Sequence, residues 1–117
     1  MAKKGIPLPG RKVRGSETGR PVMALLDLAS RRWMLRVVWE LRHGPLKFRP
    51  LQTACDEVSP SLLNKRLKEL REARLLELST EGYRLTELGH GLYRAFEPIS
   101  AWAEEWAKDL KKNPAKA

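Results

Sequence analysis

One segment of this 117-residue chain restricts its fold more than any other. Ser59-Pro60 puts a hydroxyl N-cap in front of a proline at the first helical position, a strong helix start. Leu63, Leu67 and Leu70 then recur at the i, i+4, i+7 spacing of a single buried face. At about 100° per residue, Ser61, Lys65, Lys68 and Glu72 fall on the opposite side, with Asn64 flanking them. The spacing therefore predicts a helix that is leucine on one side and short polar or basic on the other. After Ala73-Arg74, Leu75–Ser79 reads as a strand, Thr80-Glu81-Gly82 as a tight turn, and Tyr83-Arg84-Leu85 as the returning strand.

The elements around this unit follow from caps and breakers. Pro21 to Ala29 reads as a short helix with its proline tolerated in the first turn. Ser30 caps a second helix running to about His43, with Trp33, Leu35, Val37, Val38 and Leu41 as its apolar stripe and Gly44-Pro45 as its stop. Leu46-Lys47-Phe48 is extended, and Arg49 to about Asp56 forms a third helix with Leu51 and Ala54 facing inward. Thr86 caps a last helix reaching about Leu110, weakened early by Gly89 and Gly91 and kinked at Pro98, where a backbone donor is missing. Two compact helices across a short turn, the second amphipathic, make a helix-turn-helix, and the hairpin behind it makes a wing. The expected fold is mainly α with a small β-hairpin: a winged helix-turn-helix with a long C-terminal helix.

Charge divides the chain. The formal net charge is +9, but residues 1–20 hold six of the cations (Lys3, Lys4, Arg11, Lys12, Arg14, Arg20) against one Glu. Residues 108–117 add Lys108, Lys111, Lys112 and Lys116 against Asp109, and the middle is nearly balanced, with 13 basic and 12 acidic residues. The expected organisation is a flexible basic arm over 1–20, a DNA-binding and dimerisation domain over 21–110, and a basic tail over 111–117. Such a tail either serves solubility or tracks phosphates beside the main contact. A basic excess suits a polyanion, nucleic acid before a membrane surface. No membrane association is expected, since the longest nearly apolar run, Val22–Ala29, is interrupted by Asp27. Lys3 and Lys4 are not followed by the apolar run of a signal peptide, and the single cysteine, Cys55, forms no intramolecular disulfide. The expected compartment is the cytoplasm.

Base readout needs side chains that reach base edges from an exposed helix face. Ser61, Asn64, Lys65 and Lys68 are of suitable type: Asn pairs bidentately with adenine, Lys with guanine, Ser with several acceptors. A solvated helix face is the bland alternative, made less attractive by the Ser59-Pro60 start and the hairpin that follows. Lys47 and Arg49, with Ser59 at the head of the fourth helix and Arg84 on the return strand, are cast as phosphate contacts. The wing tip has no cation of its own. Arg66 lies about 60° from the buried centre, suiting a structural ion pair, with Glu40 as the expected partner. Trp33, Trp39 and Cys55 are expected in the core, and a sensing role for Cys55 would require exposure and a nearby cation.

Catalysis has little to stand on. The chain lacks a nucleophile elbow, a phosphate-cradling glycine loop and a zinc-protease helix motif. His43 and His90 lack metal-ligand partners in sequence, so no metal or cofactor is expected. On the last helix Leu92, Phe96, Ile99, Trp102 and Trp106 form a stripe that a domain this small cannot bury alone. A two-fold contact covers it and duplicates the fourth helix, placing half-sites about one DNA turn apart. The expected activity is therefore sequence-specific regulation by a homodimer on double-stranded DNA. The alternative is a winged-helix module for protein–protein contact or nonspecific nucleic-acid binding. Any small-molecule effector is left open.

The same residues resemble the HxlR-type winged-helix transcriptional regulators of bacteria and archaea, over about residues 21–107. The resemblance is carried by Arg32-Trp33, Glu40-Leu41, Gly44-Pro45-Leu46-Lys47-Phe48, Ser59-Pro60 and Leu63. It continues through Arg66-Leu67-Lys68-Glu69-Leu70, Ala73, Tyr83, Leu85-Thr86-Glu87-Leu88-Gly89, Pro98 and Trp102. It implies a homodimeric repressor or activator whose fourth helix enters the major groove. It also implies dimer contacts from the first and last helices, which brings Leu25 into that surface. Three departures stand out. Gly19-Arg20-Pro21-Val22 has no thiol where many members carry one, Arg74 stands where the family usually has glycine, and the wing is short. A left-handed Arg74 carries a penalty of about 1 kcal/mol.

Overall fold

The structure, a computed structural model, describes residues 5–114. Its elements are α1 (Pro21–Ala29), α2 (Met34–Glu40), α3 (Phe48–Ala54), α4 (Pro60–Glu72), β1 (Leu76–Ser79), β2 (Gly82–Leu85) and α5 (Glu87–Lys112). This is the winged helix-turn-helix with a long last helix that the sequence predicts. Leu41, Leu51, Cys55, Leu63 and Leu70 are fully buried, so the core lies where α2, α3 and α4 meet, with Leu76 and Leu85 sealing it from the hairpin side. The strands pair antiparallel, Leu76 opposite Leu85 and Ser79 opposite Gly82.

Local chemistry explains most boundaries. Ser59 caps α4 by accepting from the Leu62 N–H, and Thr86 caps α5 by accepting from the Gly89 N–H. The α4 C-terminus closes in a Schellman motif: Leu75 N–H donates to Leu70 O at 3.0 Å and Arg74 N–H to Arg71 O at 3.0 Å. That motif needs a left-handed residue, and Arg74 supplies it at φ +64°. The turn between α3 and α4 uses two more, Asp56 and Glu57, both at φ +55°.

The second helix differs from its expected limits. Ser30 does not cap it; its hydroxyl donates back to Asp27 O at 2.7 Å, and Ser30 is the C-cap of α1. A turn through Arg31 and Arg32 follows, and Trp33 at φ +70° sets the direction of α2. Trp39 is not a core residue. It is 40% exposed, tilted against Tyr93 of α5 and capped by the Arg42 guanidinium 3.9 Å from its ring centre. The last helix runs through Pro98 as one element and ends inside the expected 111–117 tail, at Lys112.

The largest difference is at the N-terminus. Residues 5–20, expected as a flexible arm, form a strap folded onto the body. Ile6 and Val13 are buried, Val13 and Ser16 exchange backbone hydrogen bonds, and Arg14 N–H donates to the Asp27 carboxylate at 3.1 Å. Gly19, at φ +74°, lets the strap close: a Cβ there would run into the Arg11 backbone. The expected contributions of Lys3, Lys4 and Lys116 lie outside the described residues.

Candidate DNA-binding surface

The leucine face of α4 is spent on the core, with Leu63, Leu67 and Leu70 all buried. Its other face is open: Ser61, Asn64, Lys65, Lys68 and Glu72 are exposed. These five side chains, with Glu69 at the inner edge of the same helix, form one wall of a groove of about 830 Å³, bounded on the far side by Gly5, Ile6 and Arg31. All four residues expected to read bases therefore share one accessible surface. The N-terminal strap as its second wall was not foreseen, although Gly10, Gly15 and Gly19 mark the tight turns that build it.

A buried ionic cluster holds α4 in place. Glu69 accepts from Arg66 Nη1 at 2.6 Å and from Arg31 Nη1 at 2.5 Å, while Arg66 Nε donates to the Arg32 carbonyl at 2.6 Å. The expected Arg66–Glu40 pair does not form. Glu69 lies one turn along the same buried edge, whereas Glu40 pairs with Arg36, one turn back on its own helix, at 2.7 Å. Arg36 also donates to Ala54 O at 2.9 Å, tying α2 to α3, and its hydrogen bond to Glu40 raises its pKa above the ordinary guanidinium value. Among the described residues, no buried side-chain polar atom lacks a hydrogen-bond partner.

The expected phosphate-contacting residues have different surroundings. Lys47 is exposed at the N-cap of α3. The strand-like stretch before it is bound to the wing, with Leu46 N–H donating to Tyr83 O at 2.9 Å and Tyr83 N–H to Leu46 O at 2.8 Å. A Cβ on Gly82 would collide with that backbone. Ser59 spends its oxygen on the α4 cap. Arg49 is exposed and lies 3.6 Å from Glu57, and Arg84 Nε is bound to Glu77 at 2.7 Å across the hairpin. Arg84 must give up that exposed pair to meet a phosphate, a cost of about 0–1 kcal/mol.

The expected dimer stripe is graded along α5. Leu92 and Phe96 are partly covered, as is Leu25 on α1, but Ile99, Trp102 and Trp106 are 54%, 59% and 54% exposed. The two indoles stack with ring centres 5.7 Å apart. Cys55 is fully buried, and burial pushes its thiol up to about 11, as expected of a packed residue and the opposite of a reactive one. Among the described residues no group of three or more His, Cys, Asp or Glu is placed to hold a metal ion, and no helix is long and apolar enough to cross a membrane.

A capped helix buried through its leucines and open through short polar and basic side chains, with a hairpin wing behind it, defines a helix-turn-helix protein of the transcriptional-regulator class. The HxlR-like helix-turn-helix family matches residues 28–111, and the chain belongs to it. It is 31% identical over 88 residues to the HTH-type transcriptional regulator YvaP of Bacillus subtilis, covering 69% of this chain and 82% of that protein. The quinone-bound structure of YodB from B. subtilis superposes with a TM-score of 0.68 at 30% identity, covering 72% of this chain and 96% of that one. An HxlR family factor from Thermoplasma volcanium shares the fold, with a TM-score of 0.65 at 20% identity over 75% of this chain and 85% of that one. The protein is thus a DNA-binding transcriptional regulator of the HxlR type.

Proposed function

We propose that the chain binds specific double-stranded operators as a homodimer, with α4 in the major groove. The observation that carries this reading is the open wall of Ser61, Asn64, Lys65 and Lys68, left free of the protein's own packing. The helix is held at its core-facing edge by the Arg31–Glu69–Arg66 cluster, so it meets the duplex already positioned. Lys47, Arg49, Ser59 and Arg84 flank it as contacts that fix register. The dimer is built from α1 and α5 through Leu25, Leu92, Phe96, Ile99, Trp102 and Trp106. An apolar groove of about 340 Å³ between these helices, lined in part by Leu25, Leu88 and Leu92, adds surface that a second copy covers.

One structure of YodB holds a quinone. For this chain we infer that control by a small molecule runs through non-covalent binding, because its one thiol is buried and held protonated.

The test is a salt titration on an operator obtained by random-library selection, beside a scrambled duplex of equal length. Both affinities are expected to fall steeply with salt through counterion release, with the operator retaining an advantage of about a thousandfold or more. Equal affinities at every salt concentration would refute operator recognition and favour nonspecific nucleic-acid binding.

A further inference from the structure

We infer that the N-terminal strap is a second DNA-contacting element and that Arg11 is its phosphate ligand. The inference rests on the proposed entry of α4 into the major groove. Gly5 and Ile6 form the wall of the groove facing Ser61, Asn64, Lys65 and Lys68. Arg11 braces that wall: its Nη1 donates to Ile6 O at 3.0 Å, and a Cβ on Gly5 would collide with the same guanidinium. Arg11 is exposed, and one hydrogen bond to a carbonyl uses one of its five N–H donors.

The position of Arg11 is built into the strap. Its N–H donates to Leu8 O at 3.1 Å, the neighbouring Gly10 N–H donates to Gly19 O at 2.9 Å, and Gly19 packs against the Arg11 backbone so closely that no side chain fits. Ile6, itself part of the groove wall, is anchored in the core. The cation is thus held against the residues that line the groove before DNA arrives, with little ordering entropy left to lose on binding. The groove has use for it. Glu72 lies on the α4 wall and repels phosphate, and Arg31, on the strap side, is already committed to Glu69. A phosphate running along the strap side of α4 then finds the Arg11 guanidinium beside Gly5 and Ile6, with donors left over for a charge-assisted hydrogen bond.

The experiment compares the full-length chain with its Arg11→Ala and Arg11→Lys variants, on the selected operator and its scrambled duplex, across a salt series. Arg11→Ala is expected to weaken both duplexes by the same factor and to make log K against log salt shallower by about 1.8, the loss of one phosphate contact from each protomer of the dimer. Arg11→Lys is expected to keep the wild-type steepness, because it keeps the charge. An unchanged steepness in Arg11→Ala overturns the inference, as does tighter binding, which would make the strap a cover over the groove. An equal loss in both variants overturns it too, since the effect would then run through strap folding. Lys65→Ala, measured beside them, separates this contact from the α4 reading: lost base preference there with an inert Arg11 sinks only the strap. A wild-type chain that binds neither duplex sinks both.

Discussion

Helices α4 and α5 are both amphipathic, yet they leave opposite faces in solvent. In α4 the apolar face is consumed, with Leu63, Leu67 and Leu70 buried, and the outward side is Ser61, Asn64, Lys65 and Lys68. In α5 only the N-terminal part is seated, through buried Gly89 and partly buried Leu92 and Tyr93, while Ile99, Trp102 and Trp106 stand in water. An exposed polar face costs nothing to leave open and suits a polyanion. An exposed aromatic stripe is a standing cost that another apolar surface removes. On the proposed reading the two helices therefore take different partners, DNA for α4 and a second copy for α5.

The sharpest way to break this contrast is to attack stability from each helix. Leu67→Ala removes a buried side chain from α4 and is expected to destabilise the fold by about 2–5 kcal/mol, read as a lower urea midpoint at unchanged m-value. Trp102→Ala should leave the unfolding of the single chain nearly untouched and weaken self-association by about 2–4 kcal/mol, as central interface aromatics do. Sedimentation equilibrium decides it. A dimer of unchanged strength would mean that α5 exposes its indoles for some other purpose.

Substitutions on the open face of α4 come next in size. Asn64→Ala and Lys65→Ala are each expected to relax base preference by about 1–3 kcal/mol at one operator position, without moving the urea midpoint. Lys47→Ala is expected to weaken operator and scrambled duplex alike. Identical behaviour of the two kinds of variant would erase the division between base readout and phosphate contact.

Cys55 gives a pH-dependent counterpart. Burial raises its folded-state pKa to about 11 from an ordinary value near 9, so the folded state retains the thiol proton longer than the unfolded chain. Its contribution to stability is complete below about pH 9 and is lost as pH climbs towards 11. At neutral pH, iodoacetamide should leave the native protein unmodified and label Cys55 only in denaturant. Rapid labelling of the folded chain would reopen thiol sensing.

What the sequence makes legible follows the range of the interactions. The α4 helix, its Ser59 cap, the hairpin and the Thr86 cap rest on residues within a few positions of each other, and all appear where the spacing puts them. The four expected base readers share a face because that face is the complement of three leucines. The misses are decisions made across the fold. Arg66 pairs within its own helix, but its cluster is completed across the fold, where the Arg31–Arg32 turn packs against α4 and brings a carbonyl to Arg66 and a second cation to Glu69. Trp39 reads as core by its residue type, but it lies at the edge where α2 meets Tyr93. The strap has no helical or strand period, so its fold is carried by glycines whose positive φ values have no local apolar signature.

The smallest expected effect is at the junction of α4 and the wing. Arg74 holds φ +64° at the C′ position of a complete Schellman motif, where its Cβ crowds the backbone. Both motif hydrogen bonds come from main-chain N–H groups, so a change of side chain leaves them intact. Arg74→Gly removes the crowding but gives the unfolded chain more freedom, and these effects oppose one another. The crowding, about 1 kcal/mol, slightly exceeds the added entropy, so a net gain of up to about 0.5 kcal/mol is expected, seen as a higher urea midpoint. Arg74→Ala keeps the Cβ and should gain nothing. If Ala stabilises as much as Gly, the penalty belongs to the arginine side chain rather than to the left-handed backbone. The rigid hand-over from α4 to the wing would then owe nothing to its turn residue.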